Sequence, residues 1–343
     1  VPIVFVGLPA VEEAEGCDRE TLTLPPAHDE LVTAVCAANP RTVVVLVNGA
    51  PVLLPWADRP AAIVEAYLGG QAAGGAIVDV LVGDAEPGGR LAETFPASMV
   101  FPSDEHFAGS ARQVQYREGL YVGYRFHDAA EVAPRFPFGH GRSYTSFEWG
   151  EPRVSGAGCD LSVDVSITNT GERSGSDVVQ LYVRDLESCV YRPHKELRAF
   201  AKVHLAPGDS ESVVLTLDER AFSFYDVDEQ RWRVEAGEFE LLIGASSADI
   251  RGTLRADVPG EVIDRRPTGA QGPGTNRFVA TATEFEAMLG HPIPPSVPVL
   301  PFTINTVIAE LGVTRLGRAA QSGFLRISSR QMRRLLGDTP DPV

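Results

Sequence analysis

The hydrophobic pattern of this chain changes period near Phe147, and that change limits the fold more than any other feature. Before it, apolar residues come in short unbroken runs, "VPIVFVGL" at the start and "TVVVLVNGAP" from Thr42, separated by the helix-like "PPAHDELVTAVCAAN". Runs without polar alternation suit strands of a parallel sheet covered on both faces, since neither side of such a strand meets water. After Phe147, "DLSVDVSITNTG", "DVVQLYVRD", "ESVVLTLD" and "RWRVEAGEFELLIGAS" alternate apolar and polar residues, with turns spaced roughly every ten residues, as in an antiparallel β-sandwich. At 343 residues there is room for two or three domains, each with its own core.

The expected organisation follows from these patterns. Residues 1–98 read as part of a mostly parallel α/β sandwich domain, with "AIVEAYLGG" as a third strand and "GGAIVDVLVG" as a further helix. The helix before Asn39 has Pro near its start and Leu31, Val32, Val35 and Cys36 on one face. Residues 99–146 show no clean period and read as an irregular connecting strap. Residues 147–258 form the β-sandwich, and 259–343 a Pro/Gly-rich linker with a partly helical extension. Its Arg315, Arg318, Arg326, Arg330, Arg333 and Arg334 read as a solvated helix face. The start on a core strand, with neither a basic leader nor an initiator Met, reads as a piece of a longer polypeptide.

Composition narrows the partners. A net charge of -16 argues against nucleic acid, because phosphate binding needs clustered Lys and Arg. No run of about 18 apolar residues is present, so no membrane partner is expected. The four cysteines, Cys17, Cys36, Cys159 and Cys189, have no CxxC spacing and read as free thiols in a reducing, cytoplasmic compartment. The seven histidines are scattered without metal-ligand spacing, so no metal is expected. "GGQAAGG" fits neither GxGxxG nor the phosphate-loop pattern, which leaves no case for a nucleotide cofactor; its glycines read as close packing of a helix start.

In open parallel sheets, ligands gather outside the carboxyl ends of the strands. The first such exit carries "VEEAEGCDRETLTLP", with Glu12, Glu13 and Glu15 within four positions. Crowded carboxyls in a partly desolvated cleft have raised pKa values, and one that holds its proton near neutrality can act as a general acid. An acidic loop in water is the plain alternative. Asp18 and Arg19 can hydrogen-bond sugar hydroxyls or brace the loop, and bracing by Arg19 is the preferred reading. His140 in "FGHGRSY" reads as a structural histidine.

Taken in order, "VFVGLPAVEEAEGCDRETLTLP", "NPRTVVVLVNGAPVLLPW", "GGQAAGGAIVDVLVGDAEPGGRLAETFP", "VQYREGLYVGYRFHD" and "FPFGHGRSYTSFEW" resemble the C-terminal half of glycoside hydrolase family 3 β-glucosidases. "NTGERSGSDVVQLYV" and the strands after it resemble that family's fibronectin type III-like domain, so the likeness covers about Val1 to Val258. The resemblance implies a (β/α)8 barrel before Val1 that bears the aspartate nucleophile, and a glutamate of this chain as acid/base. E-G-x-D-R places that role on Glu15, with Glu13 the runner-up and Glu12 third. It further implies a retaining, exo-acting β-glucosidase without cofactor. Its substrate is a small β-glucoside or oligosaccharide and its partner the barrel of the same polypeptide, and homo-oligomerisation is left open. A β-xylosidase, a natural-product glycosidase and a noncatalytic carbohydrate-binding module are the alternatives, and the fragment by itself is expected to be inactive. Two departures stand out: Cys17 replaces a larger, often aromatic residue, and "GGQAAGG" lacks an acid after its Gln.

Overall fold

The computed structural model describes residues 1–15, 19–102, 109–110, 113–190, 192–263, 281–294, 300–304 and 306–336. Strands β1 (Ile3–Gly7), β2 (Val43–Val47) and β3 (Ala62–Glu65) form a parallel sheet in that order. Gly7 pairs with Val47 and Leu46 with Glu65, so the three carboxyl ends lie nearly level. Gly7 admits no side chain, because a Cβ there would stand 1.9 Å from the Val47 carbonyl oxygen.

Helix α1 (Pro26–Ala38) joins β1 to β2 and begins with Pro, whose missing N–H costs nothing in a first turn. It buries Val32 and Cys36, with Val35 beside them. Leu31, expected on the same face, is exposed, since it lies about 100° round the helix from Val32. Leu24, Val44, Leu46, Trp56 and Phe95 fill the core under the sheet, and the Trp56 indole N–H donates to Asp29 on α1 at 2.7 Å. The opposite face departs from expectation. In β1, Ile3 and Phe5 are exposed while Val4 and Val6 are buried, although the run is apolar throughout. Helix α2 (Ala73–Val82) follows β3 and likewise exposes Val78 and Val82.

The expected strap is not wholly irregular. It contains the short pair β4 (Gly109–Ser110) and β5 (Gln113–Val114), and one six-residue helix, α3 (Tyr124–Ala129). A helix this short repeats its period fewer than twice, which leaves no pattern to read.

The sandwich consists of two antiparallel sheets. One runs β10 (Glu196–Leu205), β9 (Gly175–Asp185), β14 (Gly237–Gly244), β15 (Ile250–Val258). The other runs β11 (Ser210–Leu217), β8 (Asp160–Asn169), β6 (Phe147–Trp149), with β7 (Arg153–Ala157) also on β8. Helix α4 (Glu219–Phe222) and the hairpin of β12 (Phe224–Asp226) and β13 (Arg231–Arg233) link them. Val163, Val165, Ile167, Leu181, Val183, Leu215 and Leu241 meet between the sheets. Two strands break the alternation: β9 is buried on both faces along most of its length, and β14 is buried on both from Leu241 to Gly244. The outer residues of β9, Gln180 and Tyr182, lie under the strap: Tyr182 meets the Tyr124 ring edge-on at 5.8 Å, and Gln180 donates to the carbonyls of Gly139 and Ala245.

Helix α5 (Ala282–Leu289) is opened by a reciprocal cap between Thr281 and Glu284. A second compact unit takes in residues 107–115 and 291–343, including a 3₁₀ segment (Ile308–Val313) and helix α6 (Arg315–Leu336). No helix among the described residues is long and apolar enough to cross a membrane.

The α/β part is locked to the sandwich by a buried ion pair. Arg90 donates to Asp177 on β9 at 2.9 Å, and the Trp149 indole N–H donates to the other carboxylate oxygen at 2.9 Å. Removing the cation alone leaves Asp177 buried and charged. Arg90→Met is expected to lower the unfolding free energy by about 3 kcal/mol in urea melts, more than a surface ion pair contributes.

Candidate active site

Three strand exits meet at the carboxyl edge of the parallel sheet. The β1 exit turns at Pro9, where the carbonyl accepts from the amides of Glu12 and Glu13, and so presents the acidic loop. The β2 exit is Asn48–Gly49, and the β3 exit runs from Glu65 through Tyr67 and Leu68. The Gly49 amide donates to Glu13 Oε1. A Cβ on Gly49 would lie 3.0 Å from a Leu68 methyl and 3.2 Å from Glu13 Oε1, so this glycine is the floor on which the first and third exits rest.

The three glutamates therefore differ. Glu13 is half-buried and anchored, whereas Glu12 and Glu15 are exposed. Glu15 makes no side-chain hydrogen bond to the described residues. Asp18 and Cys17 lie outside the described residues. Arg19 is half-buried, and its Nε and Nη2 are shut from solvent without a hydrogen-bond partner.

The sequence reading missed Glu65. Its Oε1 accepts from the Tyr67 amide at 2.9 Å, and its Oε2 accepts from Asn48 Nδ2 at 3.4 Å. Tyr67 has φ +49°, a left-handed backbone that side chains other than glycine's disfavour. Burial is the main force that pushes the Glu65 carboxyl up to about 7; the two donors oppose it, and the charges of Glu13 and Glu93 add to it. Burial, with the charges of Glu65 and Glu93, also pushes the Tyr67 phenol up to about 12. A signal for Glu65 was present: "AIVEAYL" places one acid at the end of an otherwise apolar strand, at the same sheet edge as the acidic loop.

The other candidates fall to structural roles. His140 stacks on Phe136 with ring centroids 5.4 Å apart, and burial, helped by Arg142 and Arg90, holds its pKa below the usual range. The turn before it needs glycine, for Gly139 has φ +80° and a Cβ there would strike Gln180. Gly74 and Gly75 have no atom within 4 Å of where a side chain would begin, so close packing does not account for them. Cys36, Cys159 and Cys189 are free thiols. Among the described residues, no group of three or more His, Cys, Asp or Glu is arranged to hold a metal ion.

The raised Glu65 pKa sets a sign for stability against pH. The folded chain keeps a proton that the unfolded chain releases near 4.5, so this group stabilises the fold below 4.5, and the contribution is lost as pH rises through about 7. Relative to Glu65→Gln, which cannot titrate, the parent is expected to lose about 3 kcal/mol of unfolding free energy between pH 4.5 and 7.5. Chemical denaturation of both proteins across that range measures it.

Comparison with known proteins gives the arrangement its family. Residues 1–144 match the glycosyl hydrolase family 3 C-terminal domain, and residues 177–247 match a fibronectin type III-like domain. Thermostable β-glucosidase B of Acetivibrio thermocellus is 48% identical over 255 residues, which are 73% of this chain and 34% of that protein. The exo-α-(1→6)-L-arabinopyranosidase of Bifidobacterium breve is 39% identical over 76% of this chain and 35% of its own. The crystal structure of the β-glucosidase DesR of Streptomyces venezuelae, in complex with D-glucose, superposes with a TM-score of 0.71 at 38% identity, covering 75% of this chain and 33% of that one. The chain thus spans about a third of the length of these relatives. It belongs to glycosyl hydrolase family 3, of which it carries the C-terminal domain joined to a fibronectin type III-like domain.

Proposed function

We propose that this chain supplies the acid/base half of a retaining, exo-acting β-glucosidase, with Glu15 as the proton donor and acceptor. The observation that carries the reading is the division of labour in the acidic loop. Glu13 is committed to the Gly49 amide, and Glu15, two residues on, is exposed without a bond to the described residues. An anchored residue beside an unengaged one is what a loop needs to aim a carboxyl at a substrate held elsewhere.

In a retaining mechanism one carboxylate attacks the anomeric carbon while a carboxylic acid about 5 to 5.5 Å away protonates the departing oxygen. Glu15, protonated at first, gives its proton to the aglycone; as a carboxylate it then takes one from the water that releases the sugar. The attacking aspartate is assigned to a (β/α)8 barrel of the same polypeptide, in keeping with relatives about three times as long as this chain. The exposed apolar residues Ile3 and Phe5 on β1 suit cover by further chain. The substrate class is a small β-glucoside, on the strength of relatives that are β-glucosidases. Another glycone is the second reading, favoured by the arabinopyranosidase among those relatives.

The test uses the full-length protein and aryl β-glucosides with good and poor leaving groups. Glu15→Gln is expected to lower kcat by about 10² to 10⁴ for a poor leaving group and far less for an activated one, which needs little protonation. Glu13→Gln, which loosens the loop, is expected to cost about tenfold or less. The opposite ranking would move the acid/base role to Glu13.

A further inference from the structure

The geometry points to Glu65 as the positioning residue of the acidic loop: its carboxyl joins the exits of β2 and β3 into the single frame from which Glu13, and through it Glu15, is hung. The inference rests on the assignment of Glu15 as acid/base, and it gives that residue its support.

The frame can be traced bond by bond. Oε1 of Glu65 holds the amide of Tyr67 in its left-handed conformation, which fixes the turn that carries Leu68. Oε2 faces the Asn48 side-chain amide, whose nitrogen also donates to the Ala50 carbonyl at 3.0 Å. Asn48 is fully buried, so no bulk water replaces either partner. The next residue, Gly49, gives its amide to Glu13 and takes the Leu68 methyl against its Cα. The Gly49 floor under the acidic loop and the Leu68 turn packed on that floor are therefore both oriented by one carboxyl group.

That carboxyl, pushed up to about 7, also changes state near neutral pH. Ionised, it accepts from Tyr67 and Asn48 with one oxygen each; protonated, one of those oxygens is a hydroxyl and a weaker acceptor. The groups that face it are Glu13 from the acidic loop, Glu93 from the segment before Phe95, the Tyr67 phenol from its own exit, and the neutral Asn48 from the β2 exit. None is a cation, so burial and like charge keep the proton near neutrality.

The test compares the parent with Glu65→Gln and Glu65→Ala in the full-length protein, using two readouts. The first is amide hydrogen exchange over residues 9–15 and at Gly49, which needs no activity. Glu65→Ala is expected to speed exchange there about tenfold or more while leaving the β-sandwich core unchanged. The second is kinetics with good and poor aryl leaving groups. Glu65→Ala is expected to lower kcat about tenfold for the poor leaving group, with KM within about twofold; Glu65→Gln is expected to recover most of that loss and to remove a step near neutral pH from the pH profile. Unchanged exchange at residues 9–15 in Glu65→Ala overturns the inference, as does an unchanged pH profile in Glu65→Gln. A parent that hydrolyses no glycoside fails the proposed function instead, and exchange still decides the role of Glu65. Should Glu65→Ala not fold, the pH profile of Glu65→Gln decides: loss of the step near neutral pH supports the inference and its retention overturns it.

Discussion

Everything at the candidate site depends on the parallel pairing of three short strands. Neighbouring strands lie about 4.8 Å apart, so exits that end level across three of them fall within about 10 Å. The pairing of Gly7 with Val47 and of Leu46 with Glu65 sets that level, and the lack of a side chain on Gly7 lets the first two strands close. A slip of one residue would turn Val4 and Val6 out of the core and carry the acidic loop off the Gly49 amide. Core packing and site geometry are thus the same constraint seen from two sides.

The sandwich is tied to that sheet by polar contacts made where water cannot compete. Asp177 takes its proton donors from Arg90 and Trp149, and Gln180 spends its amide on Gly139 and Ala245 while accepting from the Tyr182 hydroxyl at 2.6 Å. Buried groups of this kind specify a unique arrangement, because any other docking leaves them unpaired. That is why β9 is buried on both faces and why its polar residues sit on the outer one. The strap segment "FPFGHG" is the adaptor, with Gly139 turned where only glycine fits against Gln180.

The sequence was legible where a period repeats often enough to be seen. The uninterrupted valines of β2 and the alternation of β8 each announced their environment, and the rule that parallel strands gather ligands at their carboxyl ends put the acidic loop at a crevice. It was illegible where one contact decides. The exposed Leu31 cannot be told from its buried neighbour Val32 in sequence, because the helix stripe has no sharp edge there. Glu65 was absorbed into an apolar strand, since its role depends on Asn48, 17 residues away. The difference between Glu13 and Glu15 was likewise hidden, because it arises from the amide of Gly49, 36 residues from Glu13. Spacing along the chain places residues on an edge; only the fold says which of them is already occupied.

That distinction bears on what an acid/base residue requires. A proton donor for an alcohol leaving group needs a pKa near the working pH, yet full burial would take it out of reach of substrate. On the proposed reading the two demands are divided between neighbours. Glu65, whose carboxyl burial pushes up to about 7, bears the desolvation, Glu13 supplies the fixed geometry through the Gly49 amide, and Glu15 stays exposed, within reach of a substrate held by the proposed barrel. On that reading an exposed Glu15 is what half a site presents, and the half-buried Glu13, Glu65 and Tyr67 behind it hold that half in register.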